Sequence, residues 1–335
     1  MEELIEDLIC GREVDVNRLK AYLVEFCAGH SPPEQLAALL TAMRCRGETA
    51  EQLAGFAEAL MSQAHTIEVG DEVVDHSGTG GDHSGSFNIS TTAALLTAAC
   101  GVPVAKHGNR SVTSRSGSAD VLEALGINVN LQPAQAKACL EQIGFVFLFA
   151  PVYHPAFKAI APVRKALKIR TIFNIMGPLL NPARVKRQVI GVYDRALMDI
   201  IAEAVLRLDN RRIMVVSSSD GLDEISMAAP TYAKIVEDGQ IRALEIEPRE
   251  YGFSYCTHED LKGGDADDNA QILRAVLGGE QGPRADCVVL NSAASLFVGG
   301  KVENLAEGVE LARSVQQSGA ALDLLKRLVG FNADA

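Results

Sequence analysis

The sequence predicts an α/β protein: a small N-terminal helical domain followed by a larger domain with a mainly parallel β-sheet flanked by helices. Three observations predict this. The first 65 residues carry only helical stripes of apolar residues, β-like and helical runs alternate from residue 70 onward, and 335 residues exceed a typical single domain.

In the N-terminal part, Ser31 and Pro32 make an N-cap and N1 pair, after which Leu36, Leu39, Leu40 and Met43 recur at i, i+3, i+4 and i+7. Thr49 with Gln52 reads as a capping box, followed by the stripe Leu53, Phe56, Ala57 and Leu60. Both stripes predict burial, in the core or in a subunit interface. Beyond residue 70, the strand candidates are the runs at 102–105, 145–149, 189–193, 213–216 and 287–290, with a shorter strand-like run at 72–75. Residues 234–246, with Asp238-Gly239 at their centre, predict an added hairpin.

The segment 75–91 reads Asp-His-Ser-Gly-Thr-Gly-Gly-Asp-His-Ser-Gly-Ser-Phe-Asn-Ile-Ser-Thr and joins the 72–75 run to an alanine-rich helical run at 92–99. Gly78, Gly80, Gly81 and Gly85 allow close backbone approach, and Asn88 to Thr91 opens a helix whose free N–H groups attract anions. A phosphate-binding loop is expected. The third glycine of the dinucleotide fingerprint and the lysine of a P-loop are both missing, so the ligand is a phosphate ester other than NAD or ATP. The other reading is an ordinary glycine-rich turn.

A second loop, at 106–120, holds Lys106, Arg110, Arg115 and five hydroxyls between the 102–105 run and a helix at 119–125 that Gly126 terminates. A third element, at 220–226, places Asp223 and Glu224 after the 213–216 strand, where open α/β sheets bind ligands. Adjacent carboxylates beside phosphate loops suggest Mg²⁺; alone, such a pair is an ordinary solvated turn.

The formal net charge of −12 opposes binding to nucleic acid or to anionic membrane surfaces. No run of 18 or more apolar residues and no basic-then-apolar start is present, so a cytoplasmic protein is expected. The seven cysteines are scattered and never in C-x-x-C spacing, which predicts reduced thiols and no zinc.

Together these segments resemble the anthranilate phosphoribosyltransferase family. The resemblance runs nearly end to end. It is carried by Gly78-Thr79-Gly80-Gly81-Asp82, Phe87-Asn88-Ile89-Ser90-Thr91, the 106–120 loop, Ala161-Pro162-Val163-Arg164, the 170–174 run with Gly177-Pro178 and Asn181-Pro182, the 220–226 element, and Leu261-Lys262-Gly263-Gly264-Asp265. It implies transfer of the 5-phosphoribosyl group from 5-phosphoribosyl-1-pyrophosphate to the amine of anthranilate, the second step of tryptophan synthesis from chorismate.

By resemblance, Gly78, Gly81, Asp82, Ser86, Asn88, Ser90, Thr91, Lys106 and Ser118 contact the phosphoribosyl pyrophosphate. Ser90, Asp223 and Glu224 hold Mg²⁺, two ions being expected, and Lys106, Asp223 and Glu224 are the catalytic set. Gly78, His107, Asn109, His154, Arg164, Met176 and Pro178 contact anthranilate, with Arg164 facing its carboxylate. On the residues alone, the two histidines could be packing groups and Arg164 a helix-surface cation.

The resemblance further implies a homodimer joined through the helical unit. It divides the chain into 1–66 with 163–182, and 70–160 with 183–335, with hinges near 66–70, 160 and 183. Three departures stand out: His83 replaces a usual glycine, Ser217-Ser218-Ser219 replaces a usual His-Gly pair, and Tyr153 stands where a second histidine is frequent. Two other readings are a phosphate-dependent nucleoside phosphorylase of the same fold, which lacks the Lys-His-Gly-Asn-Arg-Ser run, and a noncatalytic nucleic-acid-binding relative, which would show a basic surface.

Overall fold

The computed structural model describes residues 1–111 and 115–331; part of the second loop, 112–114, and the last four residues, 332–335, lie outside the described residues. The chain opens with four helices, α1 (Glu2–Ile9), α2 (Val16–Cys27), α3 (Pro33–Arg46) and α4 (Ala50–Met61). Asp15 caps α2 through the Asn17 amide, and Thr49 and Gln52 form the expected capping box on α4. The α3 start is one residue later than expected, because Pro32 takes the extended cap position and Pro33 the first helical one. Both leucine-rich stripes are fully buried within the chain itself, so neither is available as a subunit interface.

Seven strands then form one sheet in the order β3-β2-β1-β4-β5-β6-β7. These are β1 (Val74–Gly78), β2 (Val104–Gly108), β3 (Phe145–Phe149), β4 (Arg187–Gly191), β5 (Arg212–Ser218), β6 (Thr231–Glu237) and β7 (Gln240–Ile246). The first five are parallel and the last two antiparallel. Asp238 and Gly239, both at positive φ, turn the expected hairpin from β6 to β7. Between and after the strands run α5 (Ile89–Ala99), α6 (Ser118–Ala124), α7 (Pro133–Ile143), α8 (Ala150–Tyr153), α9 (Phe157–Leu167), α10 (Leu197–Leu206), α11 (Ala266–Leu277), α12 (Pro283–Val298), α13 (Leu305–Ser318) and α14 (Ala320–Val329).

One expected strand is a helix. Residues 287–290 lie inside α12, which Pro283 starts and which is buried almost all round. An apolar run of that length cannot be told from a buried helix by periodicity, and the Ala-Ser-Leu continuation extends it past strand length. α5 begins at Ile89 with Asn88 as its cap, inside the 88–91 stretch expected to open it, and the 72–75 run marks only the entry into β1.

Alternate residues of the sheet feed two cores. Val189, Met214 and Val216 face a layer with α5 and α12, while Ile190, Ile213 and Val215 face α10 and, beyond it, Leu53, Phe56 and Leu60 of α4. The helical unit's core therefore runs on into one face of the sheet. Ile160 and Val163 of α9, with Ile172, Phe173 and Leu180 after it, join that second core.

Candidate active site

Order 2-1-4 at the centre of the sheet makes a topological switch point: the connection from β1 leads to β2 on one side, while β4 lies on the other. Ligands bind outside the carboxyl ends of strands at such points. Those ends are Gly78, Gly108 and Gly191, and the Asp223-Glu224 turn that follows β5 folds over Gly78 and Gly191.

Two glycines make room for that turn. A Cβ on Gly78 would sit 2.2 Å from Asp223 Oδ2, and one on Gly191 would sit 1.7 Å from the Asp223 carbonyl oxygen. The Asp223 carboxylate accepts from the Gly80 amide at 2.7 Å, and Glu224 accepts from the Ser90 amide at 3.1 Å, in the first turn of α5. His76 Nε2 lies 3.0 Å from the other Glu224 oxygen, while its Nδ1 faces Ser295 Oγ at 3.0 Å. Asp223 and Glu224 are 8% and 7% exposed, which removes the solvated-turn reading. Burial first, then the charges of Asp82 and Glu224, push the Asp223 carboxyl well above the usual carboxylate range.

Lys106 projects from β2 into the same cluster. Its ammonium donates to the His76 carbonyl and to Ser90 Oγ at 3.3 Å and is fully buried. Burial lowers its pKa, and the carboxylates of Asp75, Glu224 and Asp223 hold back that fall. Asp75 is buried beneath, accepting from Asn181 Nδ2 at 2.9 Å and Gln188 Nε2 at 3.1 Å; burial raises its pKa against the opposing effect of Lys106.

The glycine-rich loop itself is tied down from outside. Phe87 donates to the Leu261 carbonyl at 3.0 Å, Gly263 donates to the Gly85 carbonyl at 2.9 Å, and Ser86 bridges Lys262, which gives the Leu-Lys-Gly-Gly-Asp motif its structural task. Arg170 donates to the Gly81 carbonyl at 2.8 Å while stacking on Tyr193 at 3.9 Å. His83 adopts φ 56, so the residue replacing the usual glycine takes the backbone conformation a glycine would supply. Thr91 Oγ1 is buried and finds no hydrogen-bond partner among the described residues.

In the second loop, Asp120 accepts from the Gly117 amide at 2.8 Å and the Ser111 amide at 3.1 Å, and Arg110 spans Asp120 and Glu123. Asn109 is joined to the start of α6 through the bond from the Ala119 amide to its carbonyl, which sets Asn109 and Ser118 side by side.

A separate cluster lies around His107. Its ring meets His154 edge-on at 5.2 Å, His154 meets Phe157 at 5.9 Å, Phe157 meets Phe173 at 6.2 Å, and the Arg164 guanidinium lies 5.8 Å from the Phe173 ring. His107 is pushed down to about 3, chiefly by burial and then by His154, and His154 is also lowered by burial. Both are neutral. His154 Nε2 faces the Leu180 carbonyl at 2.7 Å, which fixes Nε2 as the protonated nitrogen. Arg164 is half-buried, has its pKa lowered by burial, and pairs with no carboxylate within 4.0 Å among the described residues. Met176 and Pro178 are buried in the adjoining turn, where the Pro178 carbonyl accepts from Gln188 Nε2 at 3.0 Å.

The expected residues thus fall into two groups, one around Lys106 and the carboxylates and one around His107 and Arg164, joined through consecutive residues of β2. Asp75, His76, Arg170, Gln188, Asn269 and Ser295 belong to the framework but are not among the expected site residues. Asp75 and His76, inside the glycine-rich segment, and Arg170, at the head of the 170–174 run, lie in segments that the sequence singles out; Gln188, Asn269 and Ser295 do not. Of the departures, Tyr153 turns into the core and donates to the Leu131 carbonyl at 2.9 Å, and Ser217 and Ser218 are buried at the end of β5.

A helical bundle on a mainly parallel sheet, with glycine-rich and acidic loops at the switch point, is the domain arrangement of the glycosyl transferase family. Accordingly, the model of the glycosyl transferase family helical bundle domain matches residues 2–64, and that of the glycosyl transferase family a/b domain matches residues 70–322. The anthranilate phosphoribosyltransferase of Caldanaerobacter subterraneus subsp. tengcongensis is 45% identical, covering 99% of this chain and 98% of that one. The crystal structure of the Thermus thermophilus enzyme superposes with a TM-score of 0.92 at 41% identity, covering 99% of both chains. That of the Saccharomyces cerevisiae enzyme, in complex with PRPP and Mg, gives 0.89 at 26% identity over 98% and 96%. The chain belongs to the anthranilate phosphoribosyltransferase family.

Proposed function

We propose that this protein transfers the 5-phosphoribosyl group from 5-phosphoribosyl-1-pyrophosphate to the amine of anthranilate, giving N-(5-phosphoribosyl)anthranilate and pyrophosphate. The observation that supports this reading most is the buried Asp223-Glu224 pair set against the Gly78 loop, Ser90 and Lys106. An aromatic amine is uncharged at neutral pH, so no strong base is needed. Departure of pyrophosphate is the demanding part, and preorganised charge serves it.

Asp223, Glu224 and Ser90 would hold Mg²⁺. The donors suit it: oxygen ligands, two of them carboxylates, one held well above its usual pKa by burial and like charge that a cation would relieve. Among the described residues, no group of three or more His, Cys, Asp or Glu side chains is placed to hold a metal ion by itself. We propose two ions. When bound, Mg²⁺ supplies charge neutralisation on the leaving pyrophosphate. Gly78, Gly81, Asp82, Ser86, Asn88, Thr91 and Ser118 would bind and orient the phosphoribosyl pyrophosphate, and Lys106 would stabilise developing negative charge. Neutral His107 and His154, with Asn109, Met176 and Pro178, would hold the anthranilate ring, and Arg164, which pairs with no carboxylate among the described residues, its carboxylate group.

We also propose that residues 1–66 with 163–182 move as one unit against 70–160 with 183–335. Packing of Val163, Ile172, Phe173 and Leu180 with the N-terminal helices supports it, while the continuation of that core into α10 and one face of the sheet is what such a movement would have to slide across. A homodimer through the helical unit is proposed as well, with exposed Ile9 and Val24, rather than the buried stripes, as its candidate contacts. Seven free cysteines fit a reducing, cytoplasmic setting. Neither nucleic acid nor membrane is proposed as a partner, in keeping with the net charge of −12.

Arg164→Ala tests the substrate assignment. It should raise KM for anthranilate about 10- to 100-fold and leave KM for phosphoribosyl pyrophosphate little changed, since a charge-assisted bond contributes roughly 1.5–3 kcal/mol. Equal effects on both constants would assign Arg164 to the framework instead.

A further inference from the structure

Outside the direct contacts proposed above, one buried amide stands at the junction of the loops of Asn88, Ser116 and Gly264. Asn269, in the first turn of α11, is 1% exposed. Its Oδ1 accepts from the Gly264 amide at 2.9 Å, and its Nδ2 donates to Asn88 Oδ1 at 2.9 Å. Asn88 in turn donates through Nδ2 to the Ser116 carbonyl at 3.3 Å.

The orientation of a side-chain amide is ordinarily ambiguous, because its oxygen and nitrogen ends have the same shape. Here the ambiguity is removed at both ends. A backbone N–H can only donate, so Gly264 forces the Asn269 oxygen towards itself and the Asn269 NH₂ towards Asn88. A carbonyl can only accept, so Ser116 requires the Asn88 NH₂. Both constraints select the same orientation. Asn88 is half-buried and its Nδ2 carries a second hydrogen, with which it can donate to a phosphate oxygen, a group that can only accept.

We infer that Asn269 is a positioning residue for phosphoribosyl pyrophosphate: it holds the Asn88 amide with its NH₂ towards the phosphates and locks the three loops of Asn88, Ser116 and Gly264 into one arrangement. This rests on the proposed role of Asn88. Without the Asn269 donor, the Ser116 carbonyl alone holds the Asn88 amide, and an acceptor at position 269 competes with Ser116 for the Asn88 NH₂, so the donor offered to the anion is no longer fixed.

Asn269→Asp keeps shape and the acceptor for Gly264 but removes the donor to Asn88. It should raise KM for phosphoribosyl pyrophosphate about 10- to 100-fold, the factor for one hydrogen bond to a charged group, while KM for anthranilate changes less than about threefold. Should the added carboxylate prevent folding, Asn269→Ala, which only deletes the amide, should move the same constant in the same direction. A double-mutant cycle with Asn88→Ala separates positioning from simple charge repulsion: the Asn269 effect should vanish in that background. Persistence of the full effect there, equal change in both Michaelis constants, or unchanged KM in either folded variant overturns the inference. Absence of turnover in the unmodified protein would instead overturn the proposed function.

Discussion

Gly78→Ala and Gly191→Ala delete no interaction, yet they should fail differently. On Gly78 the added methyl would stand 2.2 Å from Asp223 Oδ2, the end of a side chain that can swing; on Gly191 it would stand 1.7 Å from the Asp223 backbone carbonyl, which cannot. To regain an ordinary contact near 3.4 Å, Gly78→Ala must displace the carboxylate by about 1.2 Å, and so breaks its 2.7 Å bond to the Gly80 amide. A shift of about 1 Å in a positioning group costs on the order of 100-fold in rate, or about 2.7 kcal/mol of barrier. Gly191→Ala should instead move the turn as a whole and lose folded protein. The assay pairs initial rates of anthranilate fluorescence loss, at saturating phosphoribosyl pyrophosphate and Mg²⁺, with thermal melting of both variants. The expected result is a folded Gly78→Ala protein with turnover down roughly 100-fold and a Gly191→Ala protein that melts early or does not accumulate. Wild-type turnover in Gly78→Ala, or a greater loss of melting temperature there than in Gly191→Ala, would refute the reasoning.

Three further outcomes are expected. Asp223→Asn with Glu224→Gln should abolish most Mg²⁺-dependent turnover while the protein stays folded, because neutral amides replace carboxylates poorly as Mg²⁺ ligands; unchanged Mg²⁺ dependence contradicts it. His107, pushed down to about 3 when folded, binds fewer protons than its unfolded form below pH 6.5, so its burial costs stability as pH falls from about 6.5 towards 3, at about 1.4 kcal/mol per pH unit. Urea unfolding at pH 7 and pH 5 should therefore show His107→Gln losing about 2 kcal/mol less than the unmodified protein over that interval, and an equal loss would show that His107 is not held neutral. Leu36→Glu should unfold the helical unit rather than yield a folded monomer, since Leu36 is fully buried within the chain; a stable monomer on sedimentation would return α3 to the subunit interface.

Much of this site was legible because its chemistry is local in sequence. The Gly78 loop and the Asp223-Glu224 turn follow strand ends, Ser90 opens α5 and Lys106 lies within β2 two residues before its end, all in short segments whose glycine, hydroxyl and charged residues differ from those of packing segments. The hairpin at Asp238-Gly239 and the Thr49-Gln52 box were equally plain, because a few adjacent residues decide them. Long-range partners were not. Nothing near Asn269 or Arg170 tells that one orients Asn88, 181 residues away, and the other holds the Gly81 carbonyl, 89 residues away. The 287–290 run failed for a different reason: α12 is enclosed on nearly every side, so it has no polar face to mark its helical period.

The central claim is most directly tested by one measurement on the unmodified protein, following anthranilate fluorescence and pyrophosphate release together with Mg²⁺ present. Anthranilate should disappear only when phosphoribosyl pyrophosphate is added, with one pyrophosphate released for each anthranilate consumed. Folded, Mg²⁺-supplied protein that leaves anthranilate untouched, or that instead cleaves pyrimidine nucleosides with phosphate, would contradict the account.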